Sequence, residues 1–124
     1  IDMDGTTYAR IPRGFSRPFL FLGSVQHVPG GVDASWDRDW KLLSGWKRWL
    51  VLTGAEHESF TDVPLLERAL GAKPVYGVLT GTRPSELTRA YVSAFLDQQL
   101  KGGKQTLLDG PSTRYPEAKF YLMG

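Results

Sequence analysis

The chain has 124 residues, with 15 basic and 13 acidic side chains and no cysteine. This length suits one domain or part of one, and a composition of 41% hydrophobic and 23% charged residues excludes an intrinsically disordered chain. The near balance of charge gives no sign of a nucleic-acid-binding protein. The longest apolar run is far too short for a transmembrane segment.

The first five residues read Ile-Asp-Met-Asp-Gly, without a starting Met or a polar lead-in. Residues 1–3 have the character of the end of a strand whose beginning is absent. We therefore expect the 124 residues to be the carboxyl-terminal portion of one larger domain.

Two further segments are predicted strands. Residues 18–23 carry four consecutive large apolar side chains between Pro18 and Gly23, which is typical of a strand buried on both faces. Residues 46–54 begin with charged and aromatic side chains and become fully apolar. The tail has a turn signal at residues 109–112, and residues 120–122 are expected to be extended and packed.

Three helices are predicted between and after these strands. The first spans residues 33–43, with Trp36, Trp40 and Leu43 at helical spacing, and a short second helix ends at Gly71. The third and longest covers about residues 82–101. The spacing of the first two tryptophans favours packing against a sheet, and a lipid- or partner-facing aromatic patch is the alternative.

Alternation of strands and helices predicts an α/β fold with a parallel sheet. Two full strands and a short one make a thin sheet, whose unpaired edge needs a neighbour. We therefore expect the chain to form a homodimer, to exchange a strand, or to depend on an amino-terminal half.

A histidine follows the second full strand, where α/β proteins place their functional sites. Residues 54–62 read Gly-Ala-Glu-His-Glu-Ser-Phe-Thr-Asp. Histidine is the commonest general base because its pKa lies near working pH, so His57 is a candidate catalytic residue. From position alone, a surface histidine between two acids remains the alternative.

This loop resembles the catalytic-histidine loop of the α/β-hydrolases, in which a small residue, His, Phe and Asp follow an apolar strand. The chain is similar to the branch that contains platelet-activating factor acetylhydrolases and related secreted bacterial lipases. The resemblance implies that residues 3–5, 18–24 and 46–50 correspond to the ends or bodies of the sixth, seventh and eighth strands. The tail at residues 109–117 also resembles that of the bacterial members.

The resemblance implies a Ser-His-Asp triad, in which a carboxylate orients the histidine. In that branch the acid follows the sixth strand, and Asp4 occupies this place; an Asp that merely caps a turn is the alternative. Asp33 is the rival acid, although a helix N-cap explains it equally well. Asp2 should face away from His57 if the strand pleat continues.

The nucleophile is expected outside this chain. No serine has the flanking glycines of Gly-x-Ser-x-Gly, so the resemblance implies that the nucleophile and the oxyanion hole lie upstream of Ile1. His27 is expected in a loop near the pocket mouth. With His57 it makes only two histidines and no Cys, so a zinc site is not favoured, and no cofactor is expected.

The sequence thus predicts the carboxyl-terminal part of a secreted carboxylic ester hydrolase, an esterase or lipase acting on ester or lipid substrates. His57 and Asp4 are its predicted catalytic residues. Because this chain lacks a nucleophile of its own, a non-catalytic hydrolase-like module for binding or assembly is the competing hypothesis.

Overall fold

The computed structural model of the chain describes residues 1–75 and 77–121, and its sheet contains four strands. In chain order these are β1 (Asp2–Met3), β2 (Phe19–Gly23), β3 (Lys47–Leu52) and β4 (Ala118–Tyr121). The strands lie side by side in this same order. The first three are parallel, whereas β4 runs antiparallel to β3 and pairs Ala118 with Leu52.

Within residues 1–75 and 77–121, three α-helices and three short 3₁₀ turns connect and follow the strands. The helices are α1 (Ser35–Trp40), α2 (Val63–Ala69) and α3 (Arg83–Lys101), and the 3₁₀ turns are Val25–His27, His57–Phe60 and Thr106–Leu108. No described helix combines the length and apolar character needed to cross a membrane. Helix α1 begins later and ends earlier than predicted, and the side chain of Asp33 accepts the Ser35 N–H at its start.

Both faces of the sheet are buried, because successive side chains of β2 and β3 point to opposite sides. On one face Leu20, Leu22, Leu50 and Leu52 pack against the buried residues of α3, which are the predicted Leu87, Tyr91, Ala94 and Phe95. On the other face an aromatic cluster combines Phe21 and Trp49 with Trp36 and Trp40 of α1. The tryptophans of α1 are therefore packing residues, as the sequence favours.

The α/β class is confirmed, but the sheet is mixed rather than purely parallel. Residues 120 and 121 of the predicted extended tail belong to β4, while Leu122 lies outside the described residues. The carboxyl ends of β1, β2 and β3 meet at one edge of the sheet, because these three strands are parallel. That edge carries Asp4, Ser24 and the loop with His57.

Candidate active site

Asp4 follows β1 in a backbone conformation that few residues adopt. Its φ is 56°, in the left-handed region, while its N–H still donates to the Leu22 carbonyl at 3.0 Å and prolongs the β1–β2 pairing. Gly5 then lets the chain turn, because a Cβ at this position would lie 2.7 Å from Asp2 Oδ1. The local geometry thus turns a buried carboxylate to the sheet edge.

The side chain of Asp2 stabilises this turn, and the described hydrogen bonds do not connect it to His57. Its Oδ1 accepts the Gly5 N–H at 2.9 Å. Burial raises the pKa of the Asp2 carboxyl, and the Gly5 N–H opposes the rise. The turn-capping role that was the alternative for Asp4 is therefore filled by Asp2.

His57 is presented by a tight turn after β3. Gly54, at φ 84°, reverses the chain, and a Cβ there would lie 2.5 Å from Val78 Cγ2. Ser59 Oγ accepts the Glu56 N–H at 3.0 Å, and the Ser59 N–H donates to the Glu56 carbonyl at 3.0 Å. These bonds close the 3₁₀ turn that begins at His57.

The structure brings Asp4 and His57 together across 53 positions of sequence: Asp4 Oδ2 accepts a hydrogen bond from His57 Nδ1 at 2.9 Å. The hydrogen bond from Asp4 raises the pKa of His57, against an opposing effect of burial. The imidazole side chain is 65% exposed, and its Nε2 has no hydrogen-bond partner within residues 1–75 and 77–121. One ring nitrogen is therefore oriented by a carboxylate, and the other is accessible.

The second oxygen of Asp4 is held from the other side. Oδ1 accepts the Ser24 backbone N–H at 2.5 Å and lies 3.0 Å from His27 Nδ1. The Asp4 side chain is only 3% exposed, so these contacts supply the hydrogen bonds that water would otherwise make. Both carboxylate oxygens of Asp4 therefore have hydrogen-bond partners.

His27 is not the loop residue near a pocket mouth that the sequence predicts. It closes the 3₁₀ turn Val25–His27, it is 3% exposed, and its ring lies against Trp36 with 4.2 Å between ring centroids. The prediction failed because the partners of His27 are distant in sequence. Its position just after β2, at the same sheet edge as Asp4 and His57, was the available signal.

Asp33, the rival acid, contacts the other histidine. Its Oδ2 lies 3.2 Å from His27 Nε2 and also accepts a hydrogen bond from the Thr6 hydroxyl. Burial acts to raise the pKa of Asp33, but the hydrogen bonds from Thr6 and Ser35 outweigh it and lower the pKa to about 2. The described hydrogen bonds connect Asp33 to His57 only through His27 and Asp4.

Within the described residues, no cluster of three or more His, Cys, Asp or Glu side chains has a geometry that could hold a metal ion. The site on this chain is an acid–histidine pair at the sheet edge. In such a pair the carboxylate orients and polarises the histidine, which can act as a base. Acyl transfer also needs a nucleophile next to His57 Nε2.

Comparison with known proteins agrees with this architecture. No protein-family model matches the chain. It is 33% identical over 118 residues to a probable 1-alkyl-2-acetylglycerophosphocholine esterase from Arthroderma benhamiae, covering 84% of this chain and 30% of that protein. It also resembles the structure of a ferulic acid esterase from Streptomyces cinnamoneus, at 35% identity and a TM-score of 0.86.

The structural match covers 97% of this chain and 38% of the ferulic acid esterase. The chain thus spans about a third of the length of these relatives. The resemblance to acetylhydrolase-type esterases is confirmed, and the chain has the fold of part of an α/β-hydrolase-type esterase.

Proposed function

We propose that the protein to which this chain belongs hydrolyses carboxylic esters through a Ser-His-Asp triad, with Asp4 and His57 as two members. The observation that carries the proposal is the 2.9 Å contact between Asp4 Oδ2 and His57 Nδ1, with Nε2 accessible. The chain order, Asp before His, suits an α/β-hydrolase whose serine precedes both. The esterase names of both relatives support the same chemistry.

In this mechanism a serine outside the chain attacks the acyl carbon while His57 Nε2 takes its proton. The proton passes to the leaving alcohol, and an acyl-enzyme remains. His57 then takes a proton from water, whose oxygen attacks the acyl carbon; the bond from that carbon to the serine oxygen breaks, His57 returns the proton to the serine oxygen, and the acid leaves. Asp4 stays ionised, holds Nδ1–H, and stabilises the imidazolium that forms in both steps.

The substrate class is proposed at the level of the carboxylic ester bond. One relative is named for an acetylated glycerophospholipid and the other for ferulic acid. A comparison of p-nitrophenyl acetate, an acetylated glycerophospholipid and methyl ferulate separates these possibilities. The ester with the highest kcat/KM identifies the preferred acyl group, and hydrolysis of none of the three would contradict the proposed ester chemistry.

The sheet edge at β1 is where we propose that another segment of the same protein packs. β1 has two residues and pairs with β2 alone among the described strands; Met3 of β1 and the preceding Ile1 are exposed. We propose an amino-terminal segment at this edge, with a homodimer as the other occupant. Light scattering of the full-length protein distinguishes the two, because a monomer excludes pairing between copies.

The experiment for the triad is ester hydrolysis by the full-length natural protein and its variants. Asp4→Asn should reduce kcat on the order of 10⁴-fold, since removal of the triad acid has that effect elsewhere. His57→Ala should reduce it at least as strongly. The matched control is Asp62→Asn, on the same loop as His57, because Asp62 is exposed and makes no side-chain cap bond.

A fluorophosphonate label followed by peptide mass spectrometry identifies the nucleophile. Labelling of one serine, lost in His57→Ala, supports the triad. An unlabelled, inactive full-length protein would favour the non-catalytic module instead. Secretion is part of the proposal, and recovery of the protein only from the cell interior would contradict it.

A further inference from the structure

We propose that His27 is a positioning residue for the triad, a second histidine that carries both ring protons and holds Asp4 in place for His57. This inference rests on the proposed function for its catalytic meaning. The structural part, a buried histidine joining two carboxylates, stands on the geometry of this chain alone.

The two oxygens of Asp4 are divided between two histidines. Oδ2 faces His57 at 2.9 Å, and Oδ1 faces His27 at 3.0 Å. A carboxylate held at one oxygen only can rotate about its Cβ–Cγ bond. With the Ser24 N–H and His27 fixing Oδ1, the direction of Oδ2 is fixed as well.

His27 is itself rigidly held. Its ring packs on Trp36, its carbonyl accepts the Trp49 indole N–H at 2.7 Å, and its N–H donates to the Ser24 carbonyl at 3.0 Å. Trp36 is anchored in turn, because its indole N–H donates to the Gly5 carbonyl at 2.8 Å. The ring that holds Asp4 is therefore connected to the backbone turn that presents Asp4.

Counting hydrogen-bond donors is the basis for the protonation that we propose for this ring. An ionised carboxylate accepts hydrogen bonds and donates none, so each ring nitrogen that contacts one must carry a proton. His27 Nδ1 contacts Asp4, and Nε2 contacts Asp33 at 3.2 Å. Only the imidazolium form has both N–H groups.

Acidic side chains flank His27 from two segments of the chain. Asp4 and Asp2 face it from the β1 turn, Asp33 faces it from the segment before α1, and His57 lies beyond Asp4. A positive charge on His27 offsets the two carboxylates, Asp4 and Asp33, that contact its two ring nitrogens.

The test combines ring-nitrogen NMR with kinetics on the full-length natural protein. In ¹⁵N-labelled protein at neutral pH, both His27 nitrogens should show the shifts of N–H groups, assigned by their loss in His27→Gln. A neutral pattern, with one bare nitrogen, would overturn the proposal. This readout needs no substrate, so it decides the protonation even if the protein hydrolyses no ester.

His27→Gln should lower kcat on the order of 10- to 100-fold with KM unchanged, since a misplacement of about 1 Å costs up to that much. The low-field His57 Nδ1–H signal should weaken in the same variant, which a purely structural role would not predict. The matched control is Gln26→Ala, an exposed neighbour in the same 3₁₀ turn, with kcat as in the wild type.

Asp33→Asn keeps the inference testable if His27→Gln fails to fold. The asparagine oxygen can still accept the Ser35 N–H, so the start of α1 is retained. His27 should lose the Nε2 proton, and kcat should fall by less than in His27→Gln. A folded His27→Gln or Asp33→Asn protein with wild-type kcat and an unchanged His57 signal would refute positioning while leaving the triad intact.

Discussion

Gly23→Ala is expected to loosen the packing that supports the Asp4 site. A Cβ at position 23 would lie 2.6 Å from Trp36 Cη2, 3.0 Å from Cζ3 and 3.1 Å from His27 Cβ. Ordinary contact begins near 3.4 Å, so the indole must retreat by about 0.8 Å. Trp36 is fully buried and stacks on Phe21 at 4.4 Å, so no free space receives it.

Overpacking of this kind costs about 1–3 kcal/mol, and we expect that loss in the free energy of unfolding. Urea unfolding of the full-length protein, followed by tryptophan fluorescence, measures it. The control is Gly110→Ala, where a Cβ meets nothing within 4 Å and φ is not positive. There we expect no loss, or a gain of about 0.4–1 kcal/mol. Equal stability of Gly23→Ala and wild type would refute the packing argument.

Three further outcomes are expected. Asp4→Asn should lower the pKa of His57, because the Asp4 hydrogen bond is the largest cause of its rise, and an NMR titration of the His57 ring measures the change. The contribution of the Asp4–His57 pair to the free energy of unfolding is full below the unfolded pKa near 6.5. It is lost as the pH rises through the folded pKa of His57. Leu50→Ala should cost about 2–5 kcal/mol in urea unfolding because Leu50 is fully buried in the core, and a cost below that of Arg83→Gln would contradict this ranking. Arg83→Gln should cost no more than about 1 kcal/mol, although Arg83 Nε lies 2.7 Å from Glu117 Oε1, because the pair is partly exposed; added salt should shrink the difference.

Local sequence was sufficient where the signal itself is local. Apolar runs and helix-breaking glycines predicted β2, β3 and α3 closely, because burial on both faces and helix termination depend on neighbouring residues. The antiparallel β4 could not be predicted in the same way. Its extended residues are evident in the sequence, but pairing Ala118 with Leu52 depends on the path of the whole tail.

The residues of the site also differ in how far local sequence predicts them. Asp4 and His57 were identified through strand ends and a family resemblance, since both follow parallel strands. Their roles as acid and base remain predictions, although the distance between them suits those roles. His27 also follows a parallel strand, but its contacts to Asp4 and Asp33 could not be predicted, because they depend on a turn that packs against Trp36 and Trp49.

The left-handed backbone conformation of Asp4 is unfavourable for folding, but it places the carboxylate in the site. An L-residue in that conformation carries an unfavourable energy of about 1–2 kcal/mol, which glycine avoids. A glycine at position 4 would relax the turn and remove the carboxylate that two histidines share. The unfavourable backbone conformation at Asp4 is therefore held in place by the contacts of its own carboxylate with the Ser24 N–H and the two histidines, so backbone strain and side-chain bonding meet in one residue.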